Sequence, residues 1–354
     1  MGIDRQSAFS GTMAADIPAG PLEDYLRNHI AGFSGPLAIA RFKGGQSNPT
    51  YKLTAPSGHY VLRRKPPGKL LPSAHAVERE YKVTAALHGA GFPVARPYLL
   101  CTDDSVIGTA FYVMEFVAGR IFWEPHVPGL SGEERALLFA SLNQTLARLH
   151  GCDYTALGLA DFGRPSGYVA RQIGRWSEQY RASETEKIEA MDRLIAWLPE
   201  ACPKQTAAAL VHGDFRLDNC IVHPGEPRIV AVLDWELATI GDPLADFTNH
   251  LMQWFMPVSE AGSGVGSLVG HEHDPGIPPL ADYIAQYCAA TGRAGIADLN
   301  VYMAYNFFRL AAILQGILGR VRDGTAANAQ AAVMARQVGP LAETGWGFAR
   351  KAGA

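Results

Sequence analysis

The sequence predicts an α+β chain, with a small lobe built on an antiparallel sheet followed by a larger, mainly helical lobe. Three observations carry this. Runs 37–42, 49–54 and 59–64 are short and partly alternating, and Gly44-Gly45 and Pro56-Ser57-Gly58 separate them, the punctuation of a β-meander. From 131 onward apolar residues recur mostly at helical spacing. With 354 residues, 48% hydrophobic and 18% charged, the chain can bury more than one minimal core, and wholesale disorder is excluded.

In chain order, residues 1–16 are small and polar and read as a frayed tail. The 17–33 segment places Leu22, Tyr25, Leu26 and Ile30 on one helical face. After the meander, 73–89 reads as a helix closed by Gly89, and 110–117 (AFYVMEFV) as an apolar strand ended by Ala118-Gly119. Ser131 with Glu134 forms a capping box, and Leu138, Leu142, Leu146 and Leu149 give that helix one apolar face down to His150. Segments 167–197, 281–291 and the Ala-rich end from 326 are further helices; 210–211, 220–222 and 228–233 make a compact β-like insert. The Gly, Ser and Pro-dense 257–279 reads as a long loop, disordered or a flap. The expected domains are a tail and helix at 1–34, a β-rich lobe at 35–117, and a helical lobe at 118–354.

Charge and cysteines narrow the function. Lys and Arg number 31 against 34 Asp and Glu, a net charge of −3, which argues against a general nucleic-acid binder. The five cysteines are dispersed with no CxxC pair, reading as reduced thiols, not a disulfide framework or zinc site. The N-terminus shows no apolar secretory core, and the apolar stretch 301–319 is broken by Asn306, Arg309 and Gln315, reading as a packed helix and not a membrane span. A cytoplasmic protein with no membrane partner is expected.

The most informative stretch is 211–246. A strand delivers His212-Gly213-Asp214 into a loop, Asn219 follows five residues after Asp214, and a hairpin leads to a strand ending at Asp234. Phosphoryl transfer needs such a set: one carboxylate to orient the acceptor hydroxyl and take its proton, and hard oxygen ligands to hold Mg²⁺ against nucleotide phosphates. Asp214 suits the first role, Asn219 and Asp234 the second. The plainer alternative, a polar hairpin whose Asp and Asn cap turns, explains one acidic residue but not the ordered set.

HGDFRLDN followed by LDWELATIGDP resembles the aminoglycoside phosphotransferase family, whose fold is that of a protein kinase. Trp235-Glu236 stands where a protein kinase has Phe-Gly, which favours the small-molecule branch. The resemblance implies a bilobal protein-kinase-like fold, ATP and Mg²⁺ as cofactors, and further residues upstream. The loop 42–48 would cover the phosphates, with Gly44, Gly45, Ser47 and Asn48 in place of the GxGxxG pattern. Arg63 would take the place of the lysine that meets the α- and β-phosphates, with Arg64 and Lys65 as alternatives of register; an arginine can grip phosphate bidentately. Glu80, ahead of Glu78, would hold that cation. Glu115 and Phe116 lie where the family's hinge meets adenine through backbone atoms. Gly241-Asp242-Pro243 with Asp246, and His212, read as braces for the catalytic loop. His271-Glu272-His273 reads as polar loop in preference to a metal site.

The acceptor is less legible. Basic residues outnumber acidic ones after 280, which does not suit a polycationic aminoglycoside. VLRRKPPGKLLPSAHAVEREY, MEFVAGRIFWEP and NFFRLAAILQGILGR resemble the subgroup of these modules associated with acyl-CoA dehydrogenases. That implies phosphorylation of the hydroxyl of a 4-hydroxyacyl-CoA by direct in-line transfer, a CoA thioester as small-molecule partner, and a functional link to an acyl-CoA dehydrogenase. Lys65, Lys69 and Arg120 are candidates to meet CoA phosphates. An aminoglycoside, choline or sugar kinase, or a nucleotide-binding pseudokinase module, are the alternatives.

Overall fold

The computed structural model describes residues 3–4, 9–13, 16–42, 48–66, 76–258, 266–323 and 336–354, for 3–4 and 9–13 as backbone alone. The chain divides into two compact units. One comprises Met1–Phe122, Thr155–Phe162 and Leu217–Ala238; the other comprises Trp123–Tyr154, Gly163–Arg216 and Thr239–Ala354.

The first unit is built on an antiparallel six-stranded sheet. Its order is Phe9–Met13, Ala38–Phe42, Thr50–Ala55, Gly58–Arg64, Phe111–Glu115, Pro97–Cys101. Where a tail is expected before residue 16, Phe9–Met13 pairs along the edge strand instead. Period-two alternation sorts the side chains. Leu53, Tyr60, Leu62, Phe111 and Val113 join Leu22 and Leu26 of helix Ala19–His29 in one core. On the opposite face Ala110 and Tyr112 pack with Val77 of helix Val77–Gly89. Arg63 and Tyr112 are register partners on adjacent strands, so both project to the side that carries Glu80. A smaller sheet, ordered Ile3–Asp4, Arg120–Ile121, Cys220–Val222, Ile229–Val232, completes the unit. Gly119 leads into it where a Cβ would lie 2.3 Å from the Ile221 side chain and 2.4 Å from the Val222 carbonyl, so only glycine fits.

The second unit is mainly helical, with a two-stranded ladder of Ala209–Val211 against Thr239–Gly241. The Ser131–Glu134 capping box is formed on both sides and starts helix Gly132–His150. The single helix expected over 167–197 is two, Tyr168–Ser183 and Glu189–Ala201. Gln315 donates to the Ser183 carbonyl (2.7 Å) and the Thr185 hydroxyl (3.0 Å), so a tertiary partner satisfies the chain where the helix breaks. Leu299–Arg322 is the one helix among the described residues long and apolar enough to cross a bilayer; 78% of its apolar window is buried within the protein. Of the expected 257–279 loop, 259–265 lie outside the described residues; the remainder is tied down by Ser267 to the Met256 carbonyl, Leu268 N–H to the Gln253 carbonyl and Arg135 to the Pro275 carbonyl. The small antiparallel sheet and the larger helical part are thus the α+β class expected.

Candidate active site

Six polar side chains meet in the first unit beneath the strand Gly58–Arg64: Asn48, Arg63, Glu80, Tyr112, Asp234 and Glu236. Arg63 Nε lies 3.2 Å from Glu80 Oε2, and Arg63 Nη2 lies 3.1 Å from Asp234 Oδ1 and 3.8 Å from Glu236 Oε2. Asn48 Nδ2 donates to Glu80 Oε1 at 2.6 Å, and the Tyr112 hydroxyl donates to Glu80 Oε2 at 3.1 Å. Burial alone would favour neutral groups here. For Arg63 that cost is outweighed by Tyr112, Glu80, Asp234 and Glu236, and its pKa is raised. Burial raises the Glu80 pKa, opposed by Arg63 and by hydrogen bonds from Tyr112 and Asn48. Tyr112 is buried and its hydroxyl is pushed well above the usual range, so it remains a donor.

The register alternatives separate by strand alternation. Arg64 faces the other side of the sheet and pairs with Asp16 (3.0 Å), while Lys65 pairs with Glu78 (2.5 Å). Of the loop expected over the phosphates, Asn48 is described and buried; Gly44, Gly45 and Ser47 lie outside the described residues. Glu115 ends its strand with its backbone N–H given to the Arg96 carbonyl (2.8 Å), and its carboxylate accepts from the Arg96 N–H (3.3 Å). Phe116 sits under the Lys52 ammonium at 4.5 Å. The cations expected to meet CoA phosphates are engaged otherwise: Lys65 with Glu78, and Arg120 with the carbonyls of His223 and Glu226 (both 3.1 Å), while Lys69 is outside the described residues.

Asn219 and Asp234 flank the open end of one hairpin in this same unit. Cys220 pairs with Val232, and the Leu233 N–H donates to the Asn219 carbonyl at 2.8 Å. Asp234 adopts a left-handed backbone (φ 64°, ψ 60°), a region that aspartate enters more readily than most non-glycine residues. Trp235 anchors that turn, donating from Nε1 to the Val232 carbonyl (3.0 Å) and packing edge-on against Phe92. A carboxylate and a carboxamide are hard oxygen donors, the type Mg²⁺ takes while keeping water and phosphate oxygens in its other positions, so the pair fits that ion. Among the described residues, no group of three or more His, Cys, Asp or Glu is placed to hold a metal. In the His271-Glu272-His273 run, His271 bonds Asp274 (2.9 Å) and stacks on His126.

Asp214 belongs to the second unit, on a loop held from several directions. Asp246 Oδ2 accepts from the His212 N–H (2.7 Å) and Asp246 Oδ1 from the Gly213 N–H (2.8 Å). His150 Nε2 lies 3.1 Å from Asp246 Oδ2, while His150 Nδ1 bonds the Tyr287 hydroxyl at 2.6 Å. Burial works against the Asp246 charge, yet His150 and these backbone donors hold its carboxyl below the usual range. Asp242 caps the following helix through the Leu244 N–H and accepts from the Tyr302 hydroxyl (2.8 Å). His212 Nδ1 accepts from the Asp214 N–H (3.2 Å), and His250 Nδ1 lies 3.3 Å from the Phe215 carbonyl. Asp214 itself is partly exposed, with Oδ1 3.3 Å from Arg216 Nε.

Sequence reasoning missed Tyr112, His150 and Arg309. Tyr112 reads as ordinary core within AFYVMEFV, and His150 as the polar end of a helix; Arg309, a charge inside an apolar helix, is the one local anomaly that could have been pursued.

A model described as the phosphotransferase enzyme family, APH, matches residues 38–299. Mouse acyl-CoA dehydrogenase family member 10 is 43% identical over 100% of the chain, which covers 33% of that protein. Rat acyl-CoA dehydrogenase family member 11 is 44% identical over 93% of the chain, which covers 43% of that protein. The chain thus spans a third to about two fifths of these relatives' length. A crystal structure of a candidate aminoglycoside phosphotransferase from Ralstonia eutropha JMP134 is 47% identical, with TM-score 0.85, over 95% of this chain and 99% of that one.

Proposed function

The chain belongs to the phosphotransferase enzyme family and is a kinase-type phosphotransferase with the protein-kinase-like α+β fold; on that footing we propose that it transfers the γ-phosphoryl group of ATP to the hydroxyl of a 4-hydroxyacyl-CoA. The observation that carries the kinase chemistry is Arg63, bound at once to Glu80 and Asp234 and thereby fixed as a planar donor for anionic oxygens. The acyl-CoA context of the relatives' names supports a CoA thioester as acceptor. A link with an acyl-CoA dehydrogenase and a cytoplasmic setting are part of the same proposal.

In this reading Arg63 binds the α- and β-phosphate oxygens, with Glu80 setting its direction. Asn219 and Asp234 are the metal ligands; Mg²⁺ held there supplies neutralisation of phosphate charge. Asp214 orients the acceptor hydroxyl and takes its proton as the oxygen bonds to γ-phosphorus and the bond to the β-phosphate oxygen breaks, giving ADP and a phosphate monoester. The brace from Asp246 to the His212 and Gly213 amides keeps Asp214 in position without a reorganisation cost during the step.

The test is ADP release with ATP and Mg²⁺ over a panel of a 4-hydroxyacyl-CoA, kanamycin, choline and a sugar. Turnover confined to the CoA thioester supports the proposal. Turnover of another alcohol alone moves the acceptor, and tight nucleotide binding without turnover of any acceptor replaces the kinase reading with a nucleotide-binding module.

A further inference from the structure

Arg309 lies mid-way along helix Leu299–Arg322, beside Phe307, Phe308, Ala311 and Ala312, all fully buried, and is itself 9% exposed. A guanidinium so placed has lost most of its water, and such charges are ordinarily retained with a carboxylate partner. Among the described residues none lies within ion-pair distance, and its Nε has no hydrogen-bond partner. Burial works to lower its pKa, but Tyr305, Tyr168, Asp214 and Asp246 together raise it, so the charge stays.

What the fork does touch is specific. Nη2 donates to the Gly213 carbonyl at 2.9 Å, and Nη1 reaches Asn249 Oδ1 at 3.4 Å. The Gly213 carbonyl belongs to the peptide whose N–H is that of Asp214, and this N–H donates to His212 Nδ1 at 3.2 Å. Both ends of one peptide plane are therefore held, the oxygen by Arg309 and the N–H by His212. Gly213 has φ +84°, and as a glycine it has wide conformational freedom, so its geometry depends on such outside contacts.

We propose that Arg309 is a positioning residue for phosphoryl transfer: it fixes the Gly213–Asp214 peptide and so the direction in which the Asp214 carboxylate meets the acceptor hydroxyl. This rests on Asp214 as the group that takes the proton. An arginine suits the role because its planar fork bonds Gly213 and Asn249 together, whereas a lysine is a point charge on a flexible stem.

The test compares Arg309→Met, Arg309→Lys and Asp214→Asn in the full chain with ATP, Mg²⁺ and the acceptor that turns over fastest in the panel. Hydrogen exchange of the 212–216 segment is followed in parallel, which needs no acceptor. The expected result for Arg309→Met is a kcat lower by about 100-fold, with KM for ATP and acceptor changed less than about threefold. Exchange at 212–216 should rise at least about tenfold, and Arg309→Lys should recover part of kcat. Unchanged kcat or unchanged exchange in Arg309→Met, with Asp214→Asn inactive, overturns this inference alone. Full activity in Asp214→Asn overturns the assignment of Asp214 and the inference with it. If Arg309→Met does not fold, Arg309→Lys must still lower kcat several-fold and speed exchange, and wild-type behaviour in that variant rejects the proposal.

Discussion

Tyr112 stands opposite Arg63 across two paired strands, and both meet Oε2 of the same Glu80 carboxylate, at 3.1 and 3.2 Å. The strand pairing fixes the spacing and the helix Val77–Gly89 supplies the carboxylate, so the cation's direction is built into the sheet and not left to a flexible side chain.

Tyr112→Phe removes one donor to a buried carboxylate and leaves the ring's packing intact. A hydrogen bond to a charged group contributes about 1.5–3 kcal/mol, so a loss of stability of that size is expected in denaturant titration. Nucleotide binding, followed by calorimetry, should weaken by about tenfold as Glu80 loses its hold on Arg63. Wild-type values in both measurements would show that the Tyr112 hydroxyl contributes nothing to the ion pair.

Asp234→Asn removes the charged half of the proposed metal pair and one of the carboxylates beside Arg63. The expected outcome is a fall in turnover of about 100-fold or more, with nucleotide affinity no longer increased by added Mg²⁺. A variant whose nucleotide binding still responds to Mg²⁺ as the wild type does would place the metal elsewhere.

His250, buried and bonded to the Tyr283 hydroxyl (2.8 Å) beside Phe215, has its pKa lowered from 6.5 to about 4, chiefly by burial. Below 6.5 the unfolded chain binds a proton that the folded protein refuses until pH approaches 4, so stability falls as pH drops through that window. The full effect is about 3 kcal/mol, reached near the lower limit. Thermal unfolding measured from pH 7 to pH 4.5 should show the decline, and His250→Gln should flatten the slope. A wild-type unfolding temperature independent of pH over this range would contradict it.

Features with a local signature were legible in the chain itself. Alternation and Gly-Pro punctuation mark the meander, the Ser131–Glu134 box marks a helix start, and the Asp214, Asn219, Asp234 spacing marks the candidate site proposed above. What stayed hidden depends on partners distant in sequence. Arg63, Arg64 and Lys65 cannot be told apart by composition; only strand register sends Arg63 to Glu80 and Arg64 to Asp16. Arg309 and Gly213 are 96 residues apart, as are His150 and Asp246, and no periodicity encodes either contact. The break between Tyr168–Ser183 and Glu189–Ala201 was invisible for the same reason, since Gln315 stabilises it from another helix. Residues 1–16 read as a tail because a strand at a sheet edge takes its order from the neighbour it pairs with.

The most direct measurement is transfer of labelled γ-phosphate from ATP to a 4-hydroxyacyl-CoA by the wild type and by Asp214→Asn, with nucleotide affinity determined for both. The expected result is a phosphate ester on the acyl hydroxyl made by the wild type, abolished in Asp214→Asn while ATP binds both proteins within about threefold. Phosphate transfer by Asp214→Asn at the wild-type rate would contradict the account.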